Sequence, residues 1–322
     1  MNKEIGGYFS LELRGEGEYH NNAIRLNTAR SALQYILRAK KYKKIYLPYY
    51  ICECVLQSIL AEHLQYEYYP INEKFEPIFD NQVLKDECFL YVNYFGVNDH
   101  NVIKVAGKYS NVIIDNSQAF YSQPLMGIDT FYSARKFFGV SDGAYLYTDT
   151  LLPDTFEHDV SYNRMEHLLK RIDISANEAY SLFLQNECDL NNSGIKKMSQ
   201  LTHAILKSIN YDACRKQRLE NYQYLCNKLG KLNMINLPPI GNQVPMVYPF
   251  ITNESGLREA LIKNKIYIAT YWKDVLKHAL SDSFEVDCMQ RLLAIPLDQR
   301  YTTADMDYIC ENIFEYLRLE KN

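Results

Sequence analysis

Residues Asn111–Thr148 read NVIIDNSQAFYSQPLMGIDTFYSARKFFGVSDGAYLYT, and two apolar runs within them flank a carboxylate and a lysine. Val112, Ile113 and Ile114 form a β-branched run that closes on Asp115, followed by Asn116, Ser117 and Gln118. That is the pattern of a buried parallel strand whose carboxyl end opens into a crevice. Lys136 follows twenty-one residues later, inside Ser133-Ala134-Arg135-Lys136-Phe137-Phe138-Gly139. A second strand is expected from Ala144 to Thr148, after the small, flexible Ser141-Asp142-Gly143. Set among Phe131, Phe137 and Phe138, the lysine is expected to be partly desolvated, which favours the neutral amine and Schiff-base formation. A carboxylate at a strand end can hold a heterocyclic nitrogen protonated. Each residue also has an ordinary reading: a snorkelling surface lysine, and an aspartate capping a turn or helix.

Composition narrows the field. The 322 residues are 47% apolar and 23% charged, which describes a soluble globular chain large enough for a large and a small domain. A net charge of -4 argues against a nucleic-acid partner, while a phosphorylated ligand needs only a local nest. The first residues hold no apolar run of signal-peptide or membrane-spanning length, so the expectation is a cytoplasmic protein with reduced thiols. Eight cysteines are present, and Cys52-Glu53-Cys54 has a spacing poorly suited to a tetrahedral metal site. All eight are read as thiols without a shared task. The seven histidines show no HExxH and no close pair, so no metal is expected.

Read in order, the chain alternates strands with helices or loops. Asn27 or Thr28 caps a helix with Leu33, Ile36 and Leu37 on its inner face, and its first-turn N–H groups with the Thr28 and Ser31 hydroxyls make an anion site. Strands are expected at Ile45–Pro48, Tyr66–Tyr69, Cys88–Val92, Val112–Ile114 and Thr130–Tyr132, with a helix at Ile51–Glu62. Helices dominate from Glu157 to Leu229. Pro238-Pro239-Ile240-Gly241 then breaks the chain, giving domains 1–235 and 236–322. The second is expected to hold strands at Met246–Thr252, Ile266–Thr270 and Leu292–Leu297, with helices at Ser255–Lys263 and Thr303–Leu319. The whole is an α/β protein: a three-layer, mostly parallel seven-stranded sheet, and a small C-terminal α+β domain.

The segment from Asp115 through Gln118 and Lys136 to Ser141-Asp142-Gly143-Ala144 resembles the core of the DegT/DnrJ/EryC1/StrS sugar aminotransferases, fold-type I pyridoxal-phosphate enzymes. In that family a strand ends in Asp, a Gln stands three residues on, and an aromatic-rich segment carries the cofactor lysine before a Gly-Asp-Gly-Gly-like turn. The resemblance implies pyridoxal 5'-phosphate as cofactor, with Lys136 as its Schiff-base lysine, Asp115 at the pyridine nitrogen and Gln118 near the ring hydroxyl. It implies phosphate contacts from Thr28, Ala29, Arg30 and Ser31, where the family has a Ser-Gly-Thr-x-Ala-Leu-like stretch. It also implies that Ala144–Thr148 runs antiparallel.

Three of the family's usual cofactor contacts are altered: the first turn at Thr28–Leu33, which lacks the family's Gly and Thr, and the positions of Cys52 and Phe131. Cys52 stands where relatives stack an aromatic on the ring, with Tyr49 or Tyr50 as nearby substitutes. Phe131 takes the place of a phosphate-binding Ser, for which Ser133 is the substitute. Lys197 stands where relatives send an Arg toward the partner's cofactor phosphate. Tyr94, Tyr248, Tyr271, Trp272 and Arg300 are candidates for the substrate side. The implied activity is amino transfer from a donor, usually glutamate in relatives, to a keto sugar, likened to the nucleotide-linked acceptors of the family, by a homodimer with shared active sites. A dehydratase and a degenerate, non-catalytic sugar-nucleotide-binding member stay open.

Overall fold

The computed structural model describes residues 5–191 and 193–319. Its first half is β1 (Ile24–Leu26), α1 (Ala29–Lys40), β2 (Lys44–Pro48), α2 (Cys54–Ala61), β3 (Gln65–Tyr69), β4 (Glu87–Val92), α3 (Asp99–Lys108), β5 (Val112–Asp115), β6 (Asp129–Ser133) and β7 (Ala144–Tyr147). The seven strands form one sheet in the order β1-β7-β6-β5-β4-β2-β3. Strands β2 to β6 are parallel, and β7 runs antiparallel to both neighbours, as expected for Ala144–Thr148. The short β1 was not foreseen, because three residues carry too little periodicity.

The central strands are buried for the reason their sequences suggest. Val112, Ile113 and Ile114 of β5 share one apolar cluster with Phe89 and Leu90 of β4, Ile45 and Leu47 of β2, and Leu33, Ile36 and Leu37 of α1. Each such aliphatic side chain stabilises the fold by about 1.5–3 kcal/mol. Helix α1 starts where Thr28 Oγ1 accepts the Ser31 N–H at 3.0 Å, and stops at Lys41, whose left-handed backbone donates its N–H to Leu37.

Four helices follow: α4 (Glu166–Asp173), α5 (Ala176–Leu190), α6 (Gln200–Lys207) and α7 (Tyr211–Leu229). Residues 157–161, expected to be helical, are not. There Asp159 donates its N–H to Lys197 O, and Lys197 donates its own to Glu157 O, so this backbone serves a bridge instead of a helix. The last part holds β8 (Val247–Phe250), α8 (Leu257–Lys263), α9 (Phe284–Arg291), β9 (Leu293–Pro296) and α10 (Thr303–Leu319), with β8 and β9 as an antiparallel pair. The strand expected at Ile266–Thr270 is absent: only Ala269 bridges to Ala294, and Lys265 at φ 61° turns the chain just before it.

Two buried charges join these parts around the β6–β7 connection. Arg218 of α7 donates to Pro245 O, Met246 O, Gln299 Oε1 and Phe137 O, and its guanidinium lies 4.5 Å over the Phe137 ring. Burial brings its pKa down to about 10, so it remains a cation at neutral pH. Asp142 accepts the Ser199 N–H at 2.8 Å, the Ser199 hydroxyl at 2.7 Å and the Thr202 hydroxyl, which fastens the β6–β7 loop to the start of α6. Asp142→Asn sets an amide N–H₂ against those donors. It is expected to lower unfolding stability by about 2–4 kcal/mol, read from urea denaturation. An unchanged midpoint would show that the loop does not depend on this anchor.

Candidate active site

The carboxyl ends of the parallel strands lie along one edge of the sheet, where ligands of open α/β folds bind. Asp115 is the last residue of β5, in register with Phe131 of β6, and Ser133 closes β6 two residues further on. A single 3₁₀ turn, Ala134–Lys136, carries the chain off that end, and β7 brings it back. The reversal holds Lys136 on the edge that Asp115 occupies.

The Asp115 carboxylate is buried. Its Oδ1 accepts the Ser117 N–H at 2.8 Å. Burial raises its pKa above the ordinary carboxylate range, opposed by the Ser117 bond and by the positive charge of Lys136. Lys136 itself is exposed, unlike the expected desolvated lysine. Phe137 and Phe138 turn away from it into an aromatic cluster with Phe120 and Tyr121, and Phe131 packs within the main core. Adjacent residues of one tight turn point in different directions, so neighbouring rings in the sequence need not enclose the amine.

Gln118 is fully buried. Its Oε1 accepts the Phe95 N–H at 2.7 Å, and its Nε2 has no partner. The backbone that meets it is tightly packed: Gly96 sits at φ 72°, and a Cβ there would stand 2.7 Å from Gln118 O. An unpaired buried amide donor is costly and unusual, which marks it as a place for a ligand oxygen.

The start of α1 lies in the same region, but its hydroxyls are committed. Ser31 Oγ donates to Gly194 O at 2.9 Å and lies 2.9 Å from Thr28 Oγ1, leaving Thr28 to donate to Ser31. Among the described residues the N–H groups of Ala29 and Arg30 and the Ser133 hydroxyl meet no hydrogen-bond partner. The Arg30 guanidinium donates to Asn191 Oδ1 at 2.6 Å. The segment 193–198 thus folds back over this chain's own α1, with Ser193 also accepting from Asn27.

Tyr50 is enclosed, edge-on to Trp272 with ring centroids 4.5 Å apart and beside Tyr94, and its hydroxyl has no partner. Tyr49 stacks on Tyr68 instead. Tyr94 is a packing residue whose hydroxyl donates to Tyr50 O. Tyr248 lies in the core of the β8–β9 pair, and Arg300 is held by Asp298. Of the substrate-side candidates, Tyr271 and Trp272 are the ones that reach the sheet edge, through Phe95 and Tyr50.

Two features escaped the sequence reading. Cys52 and Cys54 are not independent thiols: their Sγ atoms are 2.8 Å apart. Arg135 is half-buried, paired with Glu187, and its pKa is brought down to about 10 by desolvation and by Arg30 nearby. The Cys-x-Cys spacing was a usable signal for the first; nothing local announced the second. Among the described residues no group of three His, Cys, Asp or Glu side chains can hold a metal ion, and no helix is long and apolar enough to cross a membrane.

No family model matches the sequence, and no curated protein matches it. Solved structures do. NtdA from Bacillus subtilis, with bound cofactor PMP, is 15% identical, covers 92% of this chain and 73% of its own, and superposes with a TM-score of 0.65. DesV from S. venezuelae, in complex with a ketimine intermediate, is 15% identical over 91% of this chain and 84% of its own, with a TM-score of 0.63. A DegT DnrJ EryC1 StrS aminotransferase from Brucella abortus is 13% identical over 91% and 85%, with a TM-score of 0.61. The seven-stranded sheet with its one reversed strand, and its likeness over nine-tenths of the chain, give this protein the fold of the DegT/DnrJ/EryC1/StrS aminotransferases, fold type I of the pyridoxal-phosphate transferases.

Proposed function

We propose that the chain is a pyridoxal-phosphate-dependent aminotransferase of the DegT/DnrJ/EryC1/StrS family, moving an amino group from a small donor such as glutamate to a nucleotide-linked keto sugar. The observation that carries the reading is the buried Asp115 carboxylate at the end of β5, within the field of Lys136, together with the unpartnered Nε2 of the buried Gln118 three residues on. These groups fit the cofactor. Asp115 would face its ring nitrogen, Gln118 would donate to its ring hydroxyl, and Lys136 would be its covalent anchor. The free N–H groups of Ala29 and Arg30 and the Ser133 hydroxyl would receive its phosphate. The two-domain division at 235/236 and a homodimer with shared sites belong to the same proposal.

When bound, the cofactor supplies a conjugated ring that accepts the electron pair of a substrate Cα–H bond. The protein's part is acid–base and electrostatic. Lys136 Nζ would take the proton from the substrate α-carbon and return it on the other side of the transfer. Its place in an exposed turn gives the Nζ freedom to move between those positions. Asp115 would supply the negative charge for the ring nitrogen, and that pairing would offset the burial that otherwise disfavours its ionised form.

Two observations favour the non-catalytic alternative. The Thr28 and Ser31 hydroxyls bond within the chain, and the enclosed Tyr50 presents no ring face to the pocket. A visible spectrum separates the two readings. Wild-type protein mixed with pyridoxal phosphate is expected to gain an absorbance band that shifts with glutamate and is missing from Lys136→Ala. That variant is expected to lose at least about 10³-fold in amino transfer. If the cofactor leaves the wild-type spectrum unchanged, the aminotransferase reading fails.

The pH dependence follows from Asp115. Its pKa in the folded protein is raised, so at low pH the carboxyl is neutral and cannot pair with a protonated ring nitrogen. Cofactor affinity is therefore expected to rise with pH through the Asp115 titration, and Asp115→Asn is expected to flatten that rise in a fluorescence titration. In the cofactor-free protein the raised pKa has the opposite consequence. Stability is fullest below the unfolded carboxyl pKa and is lost as pH climbs through the folded one. Asp115→Asn is thus expected to raise the Tm of the cofactor-free protein at neutral pH while weakening cofactor binding. A lower Tm would mean that the buried charge is already compensated.

A further inference from the structure

Cys52 and Cys54 flank Glu53 at the start of α2, both half-buried and neither in a disulfide. Their Sγ atoms, 2.8 Å apart, lie closer than the contact distance of two separate sulfurs and toward that of a covalent S–S bond, about 2.05 Å. The charged groups around them come from several elements. Arg30 from α1 and Lys136 from the β6–β7 loop act on both sulfurs, and Arg135 from the same loop lies within reach of Cys54. Glu53 is held away on the surface by Lys277. We propose that Cys52 and Cys54 form a reversible dithiol–disulfide site at the mouth of the candidate pocket, with Cys52 as the attacking thiolate, Cys54 as the resolving thiol and a small peroxide as the oxidant.

The arrangement divides the two roles. The two thiols share one hydrogen bond, and the Cys54 backbone N–H, Lys136 and Arg30 favour the negative charge on Cys52. Together these outweigh burial and bring the Cys52 pKa down to about 6, while Cys54 is pushed well above the usual thiol range. At neutral pH the pair therefore holds one thiolate and one proton, the state that a nucleophile and its resolving partner require.

In the first step the Cys52 sulfur attacks a peroxide oxygen: an S–O bond forms, the O–O bond breaks, and the departing hydroxide takes up a proton to become water. The Cys54 sulfur then attacks the Cys52 sulfenic acid. An S–S bond forms, the S–O bond breaks, and the oxygen leaves as a second water carrying the Cys54 proton. The two sulfurs lose two electrons in total and hydrogen peroxide gains them. With a single residue between the cysteines the closed ring is small and strained, so a dithiol reductant reopens it. Closure removes the anionic sulfur that faces Lys136 and Arg30. The site is independent of what the pocket binds, so the test uses the full chain without cofactor.

Reduced, desalted protein treated with hydrogen peroxide is expected to lose two hydrogens in intact mass and two of its eight titratable thiols. Peptide mapping is expected to link Cys52 to Cys54, and dithiothreitol to restore both thiols. Iodoacetamide labelling of Cys52 is expected to be half-maximal near pH 6, and Cys54→Ser to move that midpoint upward and stop peroxide at a Cys52 oxyacid. Cys188→Ser, which removes an exposed thiol on α5, is expected to change neither result. The wild-type map needs no variant to fold. A 52–54 peptide that stays in the dithiol form while Cys188 or methionines oxidise overturns the proposal, as does a Cys52 midpoint that Cys54→Ser leaves in place.

Discussion

The reversal of one strand is the constraint on which the arrangement depends. Strands β2 to β6 run one way, so their carboxyl ends line one edge of the sheet. Because β7 turns back antiparallel to β6, the loop between them must stay at that edge. Had β7 been reached by another crossover, Ser133–Gly143 would have led into a helix covering the sheet. The hairpin instead leaves the lysine turn short and beside the end of β5.

A short turn alone would not hold Lys136 in place, and buried polar groups do the fastening. Arg218 reaches from α7 to Phe137 O and to the backbone preceding β8, so one guanidinium links the lysine turn to the last part of the chain. Gln299 adds a bond to the same Phe137 carbonyl at 2.7 Å. On the other side Asp142 secures the loop to α6. Buried charges are expensive unless fully bonded, and where they are bonded they specify one geometry. Gln118 is an exception at the sheet edge, where its buried Nε2 is unpaired. Polar groups left unsatisfied beside a rigid frame are where ligand chemistry belongs.

Much of this was legible locally. Val112–Ile114, Ile45–Pro48 and the α10 span Thr303–Leu319 announce themselves by apolar runs or helical spacing, because each buries a continuous face. The Asp115–Gln118–Lys136 series carried the fold likeness, since the residues lie in two adjacent strand ends and the turn between them. The strand expected at Ile266–Thr270 shows the limit. Alternating Ile266 and Ile268 do face inward, but a strand also needs a partner along its length, and here β9 meets it at Ala269 alone.

The amino-acid sequence by itself determined which segments are buried strands and amphipathic helices, and which residue types stand at the strand ends, because those properties follow from side chains within one or two turns of each other. Tertiary structure decided the rest: that Lys136 is open to solvent while its phenylalanine neighbours are not, that the Thr28 and Ser31 hydroxyls bond to each other and to Gly194, and that Cys52 faces Lys136 and Arg30. Each of these depends on groups brought together from distant parts of the chain, and the direction of a side chain in a tight turn is set by the partner it meets, not by its neighbours in sequence.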